Sequence, residues 1–329
     1  MAENYNILYL VNCKYVQTKM SRVRFHSVEA ISKLKNVNLA IWGLGFPYYN
    51  NNLTVQENID NYDYPPNIKM FDIVIVYKPQ EYKNFRDVSL TKVIRYNEMY
   101  DKKLTMDEIN QIKPNIVICH HYNDYLEYLN IYSKSSNLDK PKFYHIDHCA
   151  NPSVFKDYGL TKKYDITFSG AIGNSILGDH YPLRTRMLKI LHGLSRDPEF
   201  SSKYTIYFHQ HPGYEHDDSY TNKYAIELSK IYNQSWICIT CSGAPKSRFG
   251  KYVEIPMSNS LVAADVPMKQ THRDIDDEPD SQIKDIIIPL SANPEVQSDQ
   301  EIKDLLISYL EDKDKLRFLT EQGRQWAIN

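Results

Sequence analysis

Three glycines and an arginine follow a strand-like run in the middle of the chain. The segment SGAIGNSILGDHYPLR contains Gly170, Gly173 and Gly178, and it continues through Pro182 to Arg184. Glycines let backbone N–H groups approach an anion closely, and a helix that begins beside them adds positive charge. Proline suits the first helical turn, and arginine can hold a phosphate through two N–H groups. The pattern predicts a phosphate-binding loop; the alternative is a flexible loop followed by solvated arginines.

The glycine spacing differs from two common nucleotide-binding motifs. The dinucleotide fingerprint needs GxGxxG in a tight turn and an acidic residue after the next strand. Here the next strand-like run, TIYFHQH, ends in histidines, and no GxxxxGK[ST] motif occurs in the sequence. The sequence therefore disfavours an NAD-dependent enzyme, and it contains no P-loop.

A single glutamate, Glu254, stands on an otherwise apolar and small-residue segment. Burying a carboxylate costs free energy unless it has a partner, and two vicinal ribose hydroxyls would suit it. A salt bridge to Lys251 or Arg248 is the alternative. The pattern also places Lys246 and Arg248 at or just before the start of a helix over 246–257, where they could meet a phosphate.

Histidines occur in pairs after three strand-like runs. The pairs are His120 and His121, His145 and His148 around Asp147, and His209 and His211. Since open parallel sheets bind ligands at the carboxyl ends of their strands, some of these side chains are candidates for ligand contact or proton transfer. A zinc hydrolase is the alternative, but no HExxH motif occurs.

Other metal and redox patterns are weak. The letters DIDD at Asp274–Asp277 resemble an acidic metal motif, but they lie in a polar stretch rather than after an apolar strand. Cys238 and Cys241 form a CxxC inside a strand-like run, which would point the two thiols to opposite faces. We therefore expect no metal ligands and no redox dithiol.

Composition restricts the partners and the compartment. The net charge is −2 with 24% charged residues, which argues against general nucleic-acid binding because that needs a basic face. The cysteines are odd in number, five in all, and the sequence has neither a recognisable signal peptide nor a membrane-length apolar run. We expect a cytoplasmic protein with reduced thiols and no transmembrane segment.

Strand-like and helix-like segments alternate along the chain. Strands are predicted at residues 6–12, 38–42, 72–77, 115–120, 142–146, 165–169, 205–209, 236–240, 260–264 and 285–289. Helices are predicted at residues 21–34, 105–113, 182–194, 220–231, 246–257, 299–311 and 312–328. This alternation is typical of an α/β protein with parallel sheets, and the length allows two domains.

A Pro-, Lys- and Gly-bearing stretch at 151–163 separates the two halves. We therefore predict two Rossmann-like parallel-sheet domains, over residues 1–155 and 156–312, that face a cleft holding the ligand. The last segment, 313–329, is expected to form a helix that packs back on the N-terminal domain.

The second half resembles the C-terminal domain of GT-B glycosyltransferases, and it looks most similar to the CgeB-like group, which is related to the group-1 transferases. The resemblance rests on YDITFSG, YPLRTRML, SWICITCS and KYVEIPMSNSLVAADVP, all between residues 164 and 267. One departure is Ser258–Ser260, where the family usually has a glycine. The N-terminal half is similar only in its rhythm of strands and helices.

The resemblance implies a transferase that moves a sugar from a nucleotide-sugar donor to a glycan or other acceptor, with retention, and without a metal or other cofactor. The N-terminal domain would bind the acceptor. The resemblance assigns Gly170 and Arg184 to the diphosphate and Glu254 to the ribose. With this transferase interpretation, the candidate site residues are His120, His121, Asp147 and Arg184 for catalysis; Gly170, Ala171, Arg184, His209, Lys246, Arg248, Tyr252 and Glu254 for the nucleotide sugar; and Arg24 and His148 for the acceptor. For Arg24, the alternative is a solvated basic helix face. A nucleotide-sugar epimerase using His120, Asp147 and His209, or a non-catalytic nucleotide-binding module, remain alternatives.

Overall fold

The computed structural model of the protein describes residues 4–16, 26–64, 68, 70–96, 99, 101–134, 140–172, 174–175, 178–213, 223–244, 246–268 and 280–329. The described residues up to Asp147 form one compact unit, and those from His148 onward form a second. The sequence placed this boundary after residue 155. The chain already belongs to the second unit there, since the Asn233 side chain accepts hydrogen bonds from the backbone N–H groups of Tyr158 and Leu160.

The first unit is an α/β layer structure. Its strands are β1 (Tyr5–Leu10), β2 (Val37–Trp42), β3 (Ile73–Val76), β4 (Thr91–Tyr96), β5 (Ile116–Cys119) and β6 (Lys142–His145). Its helices are α1 (Cys13–Val16), α2 (His26–Ser32), α3 (Val55–Asp60), α4 (Lys102–Ile112) and α5 (Tyr122–Ser133), with short 3₁₀ turns at Pro79–Glu81 and Phe85–Asp87.

All six strands of the first unit run parallel, in the order β2-β1-β3-β4-β5-β6. Apolar side chains alternate between its two faces, as the two-residue period of a strand requires. On β1, Leu8 and Leu10 enter one hydrophobic cluster, while Ile7 and Tyr9 enter the cluster on the opposite face. The sheet therefore has helices and turns packed on both sides.

The second unit repeats this architecture. Its strands are β7 (Tyr164–Ser169), the short hairpin β8 (Asn174–Ser175) and β9 (Gly178–Asp179), β10 (Ile206–His209), β11 (Ser235–Ile239), β12 (Leu261–Ala264) and β13 (Ile288–Pro289). Its helices are α6 (Pro182–Arg196), α7 (Pro198–Lys203), α8 (Lys223–Asn233), α9 (Lys251–Met257), α10 (Ser281–Lys284), α11 (Asp299–Glu311) and α12 (Lys313–Ile328).

The main sheet of the second unit is also parallel, in the order β10-β7-β11-β12-β13. Its largest hydrophobic cluster joins β7, β11 and β12 to the apolar faces of α6 and α11. The last helix, α12, contacts α9, α11 and β12 within this unit. Its expected packing on the N-terminal domain stays a prediction.

The fold differs from the sequence expectations at several places, and helices α3, α5 and α7 were not predicted. Strand β4 was not predicted, because Thr91, Lys92 and Arg95 interrupt its apolar residues, although it lies between β3 and β5. Helix α9 begins at Lys251, five residues later than expected. Gly243 and Lys246 have φ angles of 67° and 54°, in the left-handed region that a right-handed helix cannot contain.

Two asparagine- and tyrosine-rich turns follow β2. Tyr48 has a φ angle of 64°, which costs a non-glycine residue about 1–2 kcal/mol. The chain around it is fixed by hydrogen bonds: Trp42 Nε1 donates to the Pro47 carbonyl oxygen at 2.9 Å, and the buried Asn58 amide binds both the N–H and the C=O of Asn50. This loop is thus a rigid part of the first unit.

Helix α11 supplies a direct test of the local structure. Ser298 accepts from the Glu301 backbone N–H, and the Glu301 side chain accepts from the Ser298 backbone N–H, which forms a capping box. We expect Ser298→Ala to lower the free energy of unfolding by about 1 kcal/mol, because the Glu301 backbone N–H loses its partner. Urea unfolding monitored by circular dichroism measures this change.

The control is Ser308→Ala in the same helix. The Ser308 hydroxyl only donates back to the Leu305 carbonyl on an exposed surface, so we expect a change within about 0.5 kcal/mol. Equal effects of the two substitutions would contradict the capping role of Ser298.

Candidate functional site

The predicted glycine loop lies where the strand order of the second unit reverses. From β7 the chain crosses to β10 on one side, and the later strands β11 and β12 lie on the other side. The loops that leave β7 and β11 therefore diverge at their carboxyl ends, and open α/β sheets bind ligands at such points. Gly170 begins the loop after β7, and Thr240 begins the loop after β11.

Gly170 fits this position because it has no side chain. Its φ angle is 113°, which L-residues with a Cβ atom rarely adopt. A Cβ atom at this position would lie 2.9 Å from Arg184 Nη1 and 3.3 Å from Lys251 Cε. The side chains of Arg184 and Lys251 therefore border the space that a Cβ atom of residue 170 would occupy.

Arg184 lies in the first turn of α6 and is 4% exposed. Its Nη1 donates to the Ala171 carbonyl oxygen at 3.1 Å, and its guanidinium stacks on the Tyr181 ring at 4.1 Å. Its Nε is buried and has no hydrogen-bond partner among the residues that the structure describes. A cation is unfavourable at a helix N-terminus, where the backbone already carries positive charge. An anion bound at this point would accept a hydrogen bond from Arg184 Nε and would balance the positive charge at the start of the helix.

Lys251 is a functional candidate that the sequence reasoning missed. It opens α9, and its Nζ donates to Ser169 Oγ at 3.3 Å and to the Tyr232 hydroxyl. Burial lowers the pKa of Lys251 to about 8, although the nearby Glu254 carboxylate acts in the opposite direction. No sequence signal marked this position, because the helix was expected to begin at residue 246 and the contacts of Lys251 with Ser169 and Tyr232 join distant segments.

Glu254 lies one turn into α9 and is 7% exposed. Burial raises its pKa, and the charges of Lys251 and Arg184 lower it again. Within the described part of the chain, its carboxylate accepts no hydrogen bond and forms no ion pair within 4.0 Å, so the salt-bridge alternative is not observed. Its Oε1 lies close to Gly250, where a Cβ atom would be 3.1 Å away.

A second carboxylate, Asp265, holds the loop after β11 and was also missed. It is buried, and it accepts from the Ser242 backbone N–H at 2.7 Å, from Ser242 Oγ at 2.5 Å and from Lys246 Nζ at 3.2 Å. The Tyr252 hydroxyl donates to the Asp265 carbonyl oxygen at 2.6 Å. Lys246 and Tyr252 thus support this loop, and their assignment to the nucleotide sugar stays a prediction.

Two further predicted binding residues lie in the second unit. His209 ends β10 opposite Ser169, and burial lowers its pKa. It therefore borders the glycine loop. Arg248 Nη1 lies 3.9 Å from Asp280 Oδ2, and its guanidinium is 5.5 Å from the Trp326 ring. Its charge already faces a carboxylate, so its contact with a diphosphate stays a prediction.

His120, in the first unit, uses both ring nitrogens. Its Nε2 accepts from Arg95 Nε at 2.6 Å, and its Nδ1 lies 2.7 Å from the Ile146 carbonyl oxygen, which places the proton on Nδ1. Burial and the Arg95 charge lower the pKa of His120 to about 3. This bonding does not favour proton transfer by His120, and its catalytic assignment stays a prediction.

The other predicted residues are spread over both units. His121 precedes α5, and burial lowers its pKa to about 4. Asp147 Oδ1 lies 3.3 Å from His145 Nε2 in the first unit. His148 belongs to the second unit, where its ring centroid is 6.3 Å from that of Phe249.

Several sequence predictions fall outside the described residues, namely Arg24, Gly173 and Asp274–Asp277. Among the residues that are described, no group of three histidine, cysteine or acidic side chains is arranged to hold a metal ion. In the same ranges, no helix is long and apolar enough to cross a membrane.

No protein-family model matches this sequence, and no curated protein matches it. Solved structures do match. An α-glucosyltransferase in complex with UDP-glucose and DNA containing an abasic site gives a TM-score of 0.57 at 11% identity, over 99% of this chain and 95% of that chain. HepE from Anabaena in complex with UDP-glucose gives 0.51 at 10% identity, over 98% and 94%.

A third match is sucrose-phosphate synthase from Thermosynechococcus elongatus, with a TM-score of 0.50 at 10% identity over 99% of this chain and 94% of that chain. The chain has the GT-B fold. The predicted fold class, α/β with two Rossmann-like parallel-sheet domains, is confirmed. The narrower resemblance to the CgeB-like group stays a prediction. Within the GT-B fold, Gly170, Arg184, Lys251 and Glu254 form one cluster in the second domain.

The cluster predicts a pH effect on stability. Because the pKa of Lys251 is lower in the folded protein than in the unfolded chain, the unfolded chain binds more protons between about pH 8 and about pH 10.5. The contribution of Lys251 to the free energy of unfolding therefore rises with pH through this window. We expect the stability of the wild type to rise relative to that of Lys251→Met as the pH increases from about 7.5 to about 9.5.

Denaturant titrations of both proteins across this range measure the difference. Burial also lowers the pKa of Lys162 to about 8. Because Lys162 is present in both proteins, its contribution to the pH dependence cancels in the comparison. Parallel pH profiles would show that the Lys251 ammonium is not desolvated.

Proposed function

We propose that the protein is a glycosyltransferase that moves a sugar from a nucleotide-sugar donor to an acceptor. The observation that carries this proposal is the convergence of Arg184 and Lys251 on the Gly170 backbone at the strand-order reversal of a GT-B domain. Two of the matched solved structures contain UDP-glucose, which supports a nucleotide-sugar donor here.

Charge balance in the cluster supports a diphosphate ligand. Arg184 and Lys251 bring two positive charges, and Glu254 supplies one negative charge. Burial disfavours the Lys251 ammonium and lowers its pKa, and the single carboxylate of Glu254 offsets this effect only in part. A diphosphate would add negative charge next to both cations and would meet the N-terminus of α6.

Glu254 is proposed to bind the ribose of the donor. A carboxylate can accept hydrogen bonds from two vicinal hydroxyls at once, and this carboxylate has no such donor within the described residues. Because it is buried, leaving it without a donor costs free energy that a ribose would recover. Arg184 and Lys251 would then face the diphosphate of the same nucleotide.

In the proposed mechanism, the protein stabilises the leaving group. Breaking the bond between the sugar and the diphosphate places negative charge on the leaving phosphate oxygen. Arg184 and Lys251 would neutralise this charge from fixed positions, so that no reorganisation is needed during the reaction. Since these two side chains supply the positive charge, we propose that no metal ion or other cofactor is required.

The acceptor and the stereochemistry are further parts of the proposal. We propose a glycan or glycoconjugate acceptor bound by the N-terminal domain, and transfer with retention, both from the GT-B resemblance of the second half. Among the acceptor candidates, His148 is described and lies beside Phe249. Domain closure would exclude water, which would otherwise hydrolyse the donor.

The ribose assignment predicts a coupling between one protein group and one ligand group. We expect Glu254→Ala to weaken UDP binding by about 1–3 kcal/mol, because the hydrogen bond to a charged group is lost. The same substitution should weaken 2′-deoxy-UDP binding less, since that ligand lacks one of the hydroxyls. Isothermal titration calorimetry of the two proteins with the two ligands measures the coupling energy. Equal losses of binding free energy for UDP and 2′-deoxy-UDP would show that Glu254 does not bind the ribose.

The leaving-group role of Arg184 predicts a loss of turnover. We expect Arg184→Ala to lower kcat for UDP-glucose hydrolysis without acceptor by about 10²–10³-fold, as for the removal of one fixed donor to a developing anion. The wild-type reaction should persist in EDTA if no metal is required.

Arg186→Ala is the matched control, since Arg186 lies on the same helix but binds Asp299 and the Ser291 and Gln297 carbonyl oxygens. We expect it to lower the melting temperature and leave kcat unchanged. Wild-type turnover in Arg184→Ala would exclude Arg184 from catalysis, and loss of all activity in EDTA would contradict the metal-independent mechanism.

A further inference from the structure

One tyrosine of the first unit is held almost fully in solvent. The Tyr48 side chain is 97% exposed, and its backbone lies in the left-handed region with a φ angle of 64°. Bulky residues rarely adopt this conformation, and surrounding structure must impose it. Exposed and strained residues of this kind concentrate at ligand-binding positions.

The neighbours of Tyr48 impose its conformation. The Pro47 carbonyl oxygen accepts from Trp42 Nε1 at 2.9 Å, and the Tyr49 backbone N–H donates to the Phe46 carbonyl oxygen at 3.3 Å. The buried Asn58 amide then binds both backbone groups of Asn50, at 2.8 and 3.0 Å. The chain is therefore fixed on both sides of Tyr48, and the phenol ring has a defined outward position.

The adjacent tyrosine has the opposite environment. Tyr49 packs edge-on against Trp42 at 5.1 Å and against Tyr82 at 6.2 Å, and burial raises the pKa of Tyr49 to about 12. Trp42 also packs against Tyr62 at 4.6 Å. These packed aromatic rings support the loop from below, and the Tyr48 ring lies outside them in solvent.

The loop also lies at the functional edge of its sheet. It follows Trp42, the last residue of β2, so it begins at the carboxyl end of a parallel strand. Ligands of open parallel sheets bind at this edge. Tyr48 is therefore placed where the first unit would bind a ligand.

The chemistry of the loop favours a neutral, hydroxyl-rich ligand. Residues 36–56 contain no charged side chain, and exposed Asn50, Asn51 and Asn52 follow the tyrosines. Amide side chains both donate and accept hydrogen bonds, as sugar hydroxyls do. The face of a tyrosine ring carries partial negative charge and attracts the polarised C–H groups on one face of a pyranose.

We propose that Tyr48 is a stacking platform for a pyranose ring, so that the loop after β2 forms a saccharide-binding subsite for the acceptor. The proposal rests on the transferase function proposed above, to which it adds an acceptor class and a position. Single-stranded nucleic acid also stacks on aromatic rings, but it needs a basic groove along its backbone. Within the described residues, the one hydrogen bond from a lysine side chain to this loop runs from Lys83 Nζ to the Asn52 carbonyl oxygen at 3.3 Å.

The test is direct binding of the full-length protein to an array of immobilised oligosaccharides built from glucose, galactose, N-acetylglucosamine and rhamnose, with a single-stranded DNA as a further probe. We expect the wild type to bind at least one saccharide and Tyr48→Phe to retain that binding, because stacking does not need the hydroxyl. Tyr48→Asn should lose about tenfold or more in affinity. Asparagine tolerates the left-handed region, so its melting temperature should equal or exceed that of the wild type.

Tyr144→Ala is the matched control, since Tyr144 is 50% exposed on β6 of the same unit and should not affect saccharide binding. The proposal is overturned if the wild type binds no saccharide, if it binds only the DNA, or if Tyr48→Asn binds as the wild type does. A thermal-shift assay with UDP on the same proteins separates the two proposals. Tyr48 variants should keep the UDP-induced rise in melting temperature. A wild type whose melting temperature no nucleotide raises contradicts the transferase function, and saccharide binding then tests the Tyr48 proposal alone.

Discussion

The absence of a side chain at Gly170 is the constraint on which the candidate site depends. Its backbone lies in a left-handed conformation at the end of β7, and the space that a Cβ atom would fill is bordered by Arg184 and Lys251. These cations come from the first turns of two different helices, α6 and α9. One glycine thus lets two helix starts bring their cations to the same short stretch of backbone.

The remaining polar groups of the site hold these helices and loops in position. Ser169 and Tyr232 bind the Lys251 ammonium, and Tyr181 stacks on the Arg184 guanidinium. On the other side, Asp265 fastens the loop after β11 through Ser242. Fixed surroundings of this kind keep charged groups aligned before a ligand arrives, which is the condition for electrostatic stabilisation in an enzyme.

Much of the fold could be predicted from apolar patterning, because buried parallel strands appear as short apolar runs. Strand β4 was not recognised from this pattern, since Lys92 and Arg95 interrupt its apolar run. The Lys92 ammonium donates to the Arg86 carbonyl oxygen, and the Arg95 guanidinium donates to the buried His120 ring. The glycine loop, Arg184 and Glu254 were also recognisable, because residue type and local spacing carried the signal. Lys251 and Asp265 were not, because their roles depend on contacts between segments that are distant in sequence. Tyr48 was missed for a different reason: its φ angle and exposure are properties of the folded chain.

The two cations beside Gly170 also have a kinetic consequence. Charges held in fixed positions at a partly water-excluded loop produce a field that extends beyond contact distance and raises the local concentration of oppositely charged molecules. The field attracts a polyanion before any hydrogen bond forms, and it fades over roughly 8 Å at physiological ionic strength. The arrangement of Arg184 and Lys251 should therefore affect how often an anionic ligand reaches the loop, in addition to how tightly it is held there.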